Sequence, residues 1–240
     1  MLINYNQGEW SCLFARFNPH GLECDRFMCT LSVQEEFDLI TAKLTYLESG
    51  KTKAVSFYEP PEEMQIAEGG HWSSGPKNIS LSNWVTELCL CDTNERRRAV
   101  LQHHSEGIEA ITLIWEWRTS RPDLEPILPN QIQLIRLEGI LAGQATWSFE
   151  NQLNCTVMQK RNNRNKNSVA LSWERPAQDK KQIIRTHSED GRLIAAEKTM
   201  SYKWPDNSSV TEEISKAPSR PSAFSWKDRN TGSQWNNNRP

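Results

Sequence analysis

Two segments of the chain share one pattern: Glu95-Arg-Arg-Arg-Ala-Val-Leu-Gln-His-His-Ser-Glu-Gly107 and Asp179-Lys-Lys-Gln-Ile-Ile-Arg-Thr-His-Ser-Glu-Asp-Gly191. Each consists of a charged turn, a strand and a His-Ser-Glu turn. Strand-like sequence continues after both, over residues 108–118 and 192–203. Two alternating strands joined by a short Gly-containing turn are typical of a β-hairpin. The internal repeat therefore predicts an all-β fold made of two related halves.

Alternation of apolar and polar residues recurs along the rest of the chain. Trp10, Cys12 and Phe14 alternate with Ser11 and Leu13, and residues 84–91, 145–149 and 169–173 follow the same period of two. A period of two indicates a strand with one face toward a core. The pattern predicts about eleven or twelve antiparallel strands. A short helix is expected only around residues 32–37.

The domain organisation follows from composition. Residues 119–130 hold three prolines and form the one candidate linker. Only about 75 strand-like residues follow it, few for an independent barrel. One barrel over residues 1–205 is therefore expected. Residues 206–240 are rich in Ser, Asn, Lys and Pro without periodicity and are expected to form a disordered polar tail.

Charge and cysteine content exclude several classes of function. The formal net charge is −2, which favours neither nucleic acid nor an anionic membrane as partner. No secretory segment and no run of about 18 apolar residues appears, so a cytoplasmic protein without a membrane span is expected. The six cysteines lack a framework spacing and are expected to be reduced thiols.

Metal and catalytic motifs are absent from the sequence. Cys89 and Cys91 share a strand face about 7 Å apart, but no zinc-type spacing accompanies them, so no metal site is predicted. His71 and His103 stay open as axial ligands of a haem. No phosphate loop, Gly-x-Ser-x-Gly elbow or His-Glu-x-x-His motif occurs, and catalytic residues stay unassigned.

Three stretches read together resemble one known family: Gly8 to Gly21, which starts with a lipocalin-like Gly-x-Trp, Arg96 to Arg118, and Trp173 to Lys198. They resemble a cyanobacterial and plastid family of unknown function with a lipocalin-like (calycin) barrel, over about residues 8 to 204. This family is similar in fold to the S-type phycobiliprotein lyases, which carry a linear tetrapyrrole and help attach it to cysteines of phycobiliproteins. The resemblance implies an antiparallel lipocalin-like barrel that binds a bilin or another hydrophobic small molecule, with a phycobiliprotein as an implied partner.

Candidate ligand-binding residues come from the repeated strands. The repeat aligns Arg185 and His187 with Gln102 and His104, so two strands are expected to line one cavity. A guanidinium fork matches the propionates of a bilin, and indole rings match its pyrroles. The candidates are Arg96, Arg98, His104, Trp115, Trp117, Arg185 and His187.

Alternative roles stay open for these residues. The arginines could lie outside the barrel and face water, and the histidines could bond at the hairpin ends. Glu87 or Glu116 could protonate pyrrole nitrogens if either points inward.

Three functions are consistent with the sequence. The first is a hydrophobic-ligand carrier or lyase-like chaperone, for which enzymatic chromophore attachment is left open. The second is a non-catalytic assembly protein with a filled barrel, which binds a partner through its surface or through the tail around Trp226 and Trp235. The third is an isomerase or cyclase that uses the same pocket. A carrier needs a cavity of several hundred Å³, on the order of 300–1,000 Å³, whereas a filled barrel has none.

Overall fold

The computed structural model describes residues 2–79, 83–105, 107–139, 143–150, 152–159, 167–174 and 180–196. The expected tail over residues 206–240, including Trp226 and Trp235, lies outside the described residues. The described chain is mostly β-structure, so the predicted all-β antiparallel barrel class is confirmed. No described helix is long and apolar enough to cross a membrane.

The N-terminal half of the chain forms a nine-stranded antiparallel sheet that curls into a half-barrel. Its order is β4-β3-β2-β1-β9-β8-β7-β6-β5, so strands adjacent in sequence pair with each other except β4 and β5, which form the two edges, and β1 also pairs with β9. The strands are β1 Gly8–Phe17, β2 Glu23–Glu36, β3 Leu39–Tyr46, β4 Thr52–Phe57, β5 Gln65–Ile66, β6 Trp72–Ser74, β7 Trp84–Cys91, β8 Glu95–His104 and β9 Gly107–Arg118.

A second sheet of five strands follows in simple sequence order. The Pro-rich segment 119–130 separates the two sheets, as its composition indicates, and contains a 3₁₀ turn at Pro122–Leu124. The strands of the second sheet are β10 Ile135–Glu138, β11 Gln144–Phe149, β12 Leu153–Met158, β13 Asn167–Trp173 and β14 Lys181–His187.

Helical structure is confined to short pieces in the described chain. Helix α1 spans Leu2–Asn6, and a 3₁₀ turn spans Glu68–Gly70. The expected helix over residues 32–37 is wrong, because β2 continues to Glu36 and pairs with β3. Val33 packs in the core, so this end of β2 keeps the strand period.

Alternation gives the nine-stranded sheet two different faces. The back face carries Leu90, Leu101 and Trp115, which pack against Leu171 and Trp173 of the second sheet in one apolar cluster. Burial of each such aliphatic side chain contributes about 1.5–3 kcal/mol. The front face carries a second apolar cluster, whose buried members are Trp10, Cys12, Phe14, Cys29, Leu31, Val33, Ile40 and Ile114.

The two copies of the repeated hairpin differ in the structure. Strands β8 and β9 form the predicted hairpin in the middle of the nine-stranded sheet. The second copy is formed only by β14 and the turn that closes with Gly191, because Arg192 and Leu193 make isolated bridges. The strand expected over residues 192–203 is therefore wrong for residues 192–196, and residues 197–203 lie outside the described residues. The backbone of Leu193 bonds instead to Lys77, which links this turn to the first half of the chain.

Candidate functional site

A row of polar and sulfur-containing side chains crosses the front face at one level. Register partners lie directly opposite each other in neighbouring strands, so one row follows from successive pairings. The row runs over six strands as Cys91 of β7, Arg96 of β8, Glu116 of β9, Cys12 of β1, Cys29 of β2 and Tyr46 of β3.

Glu116 is the centre of a buried ionic network. Its carboxylate is fully buried and lies 2.9 Å from Arg96 Nε and 3.1 Å from Arg98 Nη1. Arg98 Nη2 reaches a second carboxylate, Glu87, at 2.8 Å. Burial alone would raise the pKa of Glu116, but the two guanidinium groups outweigh it and hold this pKa below its usual range. Two positive and two negative side chains therefore balance one another.

Asn6, the last residue of α1, ties the network to the N-terminus. Its Oδ1 accepts hydrogen bonds from Arg96 Nη1 at 2.9 Å and Trp72 Nε1 at 3.2 Å. Its Nδ2 donates to the carbonyl of Gly70 at 3.1 Å. Trp10 Nε1 donates to the Asn6 carbonyl, and the Arg96 guanidinium stacks on the Trp10 ring at 4.0 Å. Asn6 thus joins α1 to three strands and to the Glu68–Gly70 turn through its side chain and its backbone carbonyl.

Two thiols converge at the β7 end of the row. The sulfurs of Cys89 and Cys91 are 3.7 Å apart, much closer than the separation of about 7 Å expected from the strand rise. The hydrogen bond from Cys89, together with His71 and Arg96, lowers the pKa of the Cys91 thiol to about 6 against the effect of burial. Burial and the neighbouring Cys91 raise the pKa of Cys89.

The remaining buried thiols differ from Cys91. Burial raises the pKa of Cys29 to about 11 and that of Cys155 to about 12. The pKa of Cys12 is raised by burial and by the adjacent Glu116, to which its thiol donates at 3.4 Å. Cys91 is thus the buried thiol whose surroundings favour the thiolate.

An aromatic surface adjoins the ionic network on the front face. Phe14 stacks on Phe27 with ring centroids 4.9 Å apart, and Phe27 contacts Tyr46 at 5.7 Å. Lys53 lies over the Tyr46 ring. Phe14 is buried, but Phe27 and Tyr46 are only half-buried, together with the surrounding apolar side chains of Ala42, Leu44, Phe57 and Val100. We call Phe14, Phe27 and Tyr46 the aromatic row.

A separate polar cluster lies between the two sheets. His103 stacks on Trp84 at 4.7 Å, and its Nδ1 lies 3.1 Å from Gln159 Oε1. A cavity of about 10 Å³ borders His103 and His187, which is room for about one water molecule. Burial lowers the pKa of His103 to about 4, and the bond to Gln159 opposes this shift only in part. At this place the interior between the sheets is filled.

The predicted ligand residues lie in three places rather than along one cavity. Arg96 and Arg98 are on the front face in the ionic network, so the alternative that they face water outside the barrel is wrong for these two. Trp115 and Trp117 point to the back face and are 3% exposed, with Trp115 edge-on to Phe149. A bilin held by these arginines could not stack on these tryptophans, because alternate residues of β9 face opposite ways.

Arg185 and His187 belong to the second sheet and make structural contacts. Arg185 Nη2 donates to the carbonyls of Gly75 at 2.6 Å and Pro76 at 3.1 Å. His187 Nε2 lies 3.0 Å from the Pro76 carbonyl. These contacts fasten β14 to the segment after β6. The expectation that β8 and β14 present Arg98 and Arg185 to one cavity is therefore wrong, because Arg98 points to the front face and β14 packs on the back face.

His104 is half-buried at the end of β8, where its carbonyl accepts a hydrogen bond from Gln159 Nε2. The repeat aligned His187 with His104, but it is His103 that shares the small cavity with His187. A register shift between Gln102 and His103 accompanies this change. Ligand binding by any of the seven candidates stays a prediction.

Asn6 and Cys12 are members of the site that sequence reasoning missed, whereas Trp10 was noted as part of the lipocalin-like Gly-x-Trp. One signal for the network was available, because Glu116 is a lone acid inside the apolar run from Leu113 to Trp117. A carboxylate on a strand of this kind is buried only with a cation beside it. No comparable signal marks Asn6, whose role depends on contacts with residues 64 to 90 positions away.

Comparisons with known proteins support the fold. A crystal structure of a DUF3598 family protein with unknown function, from Nostoc punctiforme, superposes with a TM-score of 0.62 at 15% identity, over 80% of this chain and 93% of that chain. At this identity the likeness concerns the fold alone. The crystal structure of kievitone hydratase from Nectria haematococca gives a TM-score of 0.21 at 8% identity, over 80% of this chain and 64% of that chain, and carries no argument. No curated protein matches the chain.

A family model described as "Domain of unknown function (DUF3598), N-terminal" matches residues 1–121. This range covers half of the chain. It contains all nine strands of the large sheet, the ionic network and the aromatic row. The chain belongs to the DUF3598 family.

Proposed function

We propose that this protein binds a hydrophobic small molecule with an extended aromatic surface on the front face of the half-barrel. The observation that carries the proposal is the half-buried aromatic row beside a charge-balanced ionic network. Aromatic side chains left partly open in a curved sheet offer stacking surfaces to a ligand. The contacts of the second sheet lie mainly with β6, β7 and β8, which leaves this part of the front face available.

The charge of the site favours a ligand held by its apolar surface. Arg96 and Arg98 already pair with Glu116 and Glu87, so an anionic group would have to displace a buried carboxylate. Removal of one partner from a buried ion pair costs about 3–5 kcal/mol. The proposed ligand therefore stacks on Phe27 and Tyr46 and keeps any carboxylates toward solvent.

A linear tetrapyrrole is the first ligand of this class to test. Its conjugated rings match the aromatic row, and the resemblance to bilin-carrying barrels supports the choice. The finer form of the proposal is a lyase-like chaperone that passes the bilin to cysteines of a phycobiliprotein. Incubation of the loaded protein with an apo-phycobiliprotein tests this step, because a covalent adduct survives denaturing electrophoresis.

The test of binding is a titration of the purified chain with phycocyanobilin, haem and a fatty acid. We expect a shift in pigment absorbance and quenching of tryptophan fluorescence, because Trp10 and Trp72 border the network. The variant Phe27→Leu should weaken binding about 3- to 10-fold through loss of stacking. Phe37→Leu is the matched control, because Phe37 is 97% exposed at the β2–β3 turn.

Two outcomes would refute the proposal. The first is that no ligand perturbs either spectrum, and the second is that Phe27→Leu binds as tightly as the wild type and the control Phe37→Leu.

The second candidate is an assembly protein with a filled barrel, favoured by the cavity of only about 10 Å³ between the sheets. It predicts no ligand response at all. Conversion of the bound ligand to a product would instead indicate the isomerase or cyclase alternative.

A further inference from the structure

The proposed ligand surface does not use the convergent thiols of β7. Cys89 and Cys91 lie two residues apart on one strand face, and both side chains are buried. Parallel side chains at this spacing would hold their sulfurs about 7 Å apart. The observed separation of 3.7 Å means that both sulfurs turn toward one point. A single atom between them could therefore contact both.

Two arginines lie opposite the cysteines on the neighbouring strand. Register pairing sets Arg96 directly opposite Cys91 and Arg98 opposite Cys89. Within the described part of the chain, Arg96 Nη2 is buried and has no hydrogen-bond acceptor. A buried guanidinium of this kind stabilises an adjacent group that carries one negative charge.

We propose that Cys89 and Cys91 form a two-coordinate site for a soft monovalent cation, with Cu(I) as the representative ion. Soft thiolate ligands select Cu(I). Binding forms two metal–sulfur bonds, each thiol that is still protonated releases its proton to solvent, and no oxidation state changes. Two thiolates and one monovalent ion leave a single negative charge, which faces Arg96.

Ligand number argues against a divalent ion at this place. Zinc takes four ligands in structural sites. The described residues contain no group of three or more His, Cys, Asp or Glu side chains that could hold a metal ion. His71 Nδ1 is occupied, because it accepts the backbone N–H of Cys91 at 2.9 Å. Two sulfurs satisfy an ion that accepts two ligands and leave zinc incomplete.

The cover over the sulfurs suits an air-sensitive ion. Cys91 Sγ lies 3.2 Å from the Gly70 carbonyl and 3.5 Å from Asn6 Oδ1, so α1 and the Glu68–Gly70 turn shield it. Asn6 also binds Arg96. An ion at this site would therefore sit at one end of the row and contact the residues that hold the N-terminal helix in place.

The experiment uses the full chain with Cys24→Ser, because Cys24 is an exposed thiol that would bind copper on its own. Reduced protein is titrated without oxygen against the coloured Cu(I)–bicinchoninate complex, and protein-bound copper is measured by loss of the colour. We expect one copper per chain. Addition of Cys89→Ser or Cys91→Ser should weaken copper uptake by more than about tenfold, since each removes one of two ligands.

The matched control carries the same Cys→Ser change elsewhere. Cys155→Ser alters a buried thiol of the second sheet, away from the ionic network. This variant should keep one copper per chain. A triple variant, Cys24→Ser with Cys89→Ser and Cys91→Ser, that still binds copper as the parent does would overturn the proposal.

X-ray absorption of the copper-loaded Cys24→Ser protein decides the matter without a variant of the site. We expect two sulfur neighbours and no additional nitrogen or oxygen ligand. A spectrum with nitrogen or oxygen ligands, or with three sulfurs, would overturn the two-coordinate site, as would displacement of copper by an equal concentration of Zn²⁺. This measurement remains decisive if the serine variants fail to fold.

Discussion

Neighbouring residues of strand β9 have opposite surroundings. Leu113 and Trp115 point to the back face and pack against the second sheet, where apolar area supplies the stability. Glu116, the next residue, points to the front face and meets Arg96 and Arg98. This part of the front face therefore depends on the pairing of its charges. It also borders half-open aromatic side chains, so the back face has a structural role and the front face has the proposed ligand-binding role.

Glu116→Gln should cause the largest loss of stability, because it removes the carboxylate on which the front face depends. The variant leaves two buried guanidinium groups, those of Arg96 and Arg98, with only one carboxylate to balance their charge. The free energy of unfolding should fall by about 3–5 kcal/mol. Urea unfolding followed by circular dichroism measures the loss. A midpoint within error of the wild type would mean that the front-face charges do not depend on pairing.

Leu113→Ala tests the back face in the same strand. Removal of a fully packed aliphatic side chain should cost about 3 kcal/mol, within the range for buried leucines. The loss should not depend on salt, since no charge is involved. Unfolding in urea at low and high salt gives the comparison. A loss below about 1 kcal/mol would show that the two sheets repack readily.

Because His103 is buried between the two sheets, we expect the protein to lose stability at acidic pH. The folded state lowers its pKa from 6.5 to about 4 through burial, with His187 and His104 as further causes. Unfolded chains bind this proton already near pH 6.5, so the stability falls as the pH drops from 6.5 toward 4. Between pH 7 and pH 4.5 the wild type should lose about 2 kcal/mol more than His103→Gln.

Urea unfolding at the two pH values tests this expectation. His20→Gln is the matched control, because His20 is exposed at a turn. Between the two pH values this variant should lose as much stability as the wild type. Equal pH dependence of His103→Gln and the wild type would show that another group causes the acid sensitivity.

The smallest effect on stability is expected for a solvent-exposed ion pair. Arg121 and Asp123 form a pair at 2.7 Å in which both side chains are about half exposed. Asp123→Asn should leave the unfolding midpoint unchanged, because solvent screens exposed pairs. A clear loss of stability would remove the distinction between buried and exposed pairs on which the interpretation of Glu116 depends.

Most of the local structure could be predicted from the chain. The period of two identified the strands, put Glu116 on the opposite face from Trp115, and put Cys89 and Cys91 on one face. The exceptions were the stretch around residues 32–37, where a helix was expected and β2 continues, and residues 192–196, where a strand was expected and only isolated bridges form. Less of the site was predictable, because alternation assigns side chains to two faces without showing what covers either face.

The sequence by itself determined the strands, their alternation and the break at residues 119–130. Only the tertiary structure decided that Arg98 lies in an ionic network while Arg185 fastens β14 to the carbonyls after β6. The two arginines lie on the strands that the repeat relates, β8 and β14, but these strands belong to different sheets. The physical reason is the sequence distance between interacting residues. Strand periodicity relates residues two positions apart, whereas Cys12 contacts Glu116, which is 104 positions away. Such pairings depend on the packing of the whole sheet.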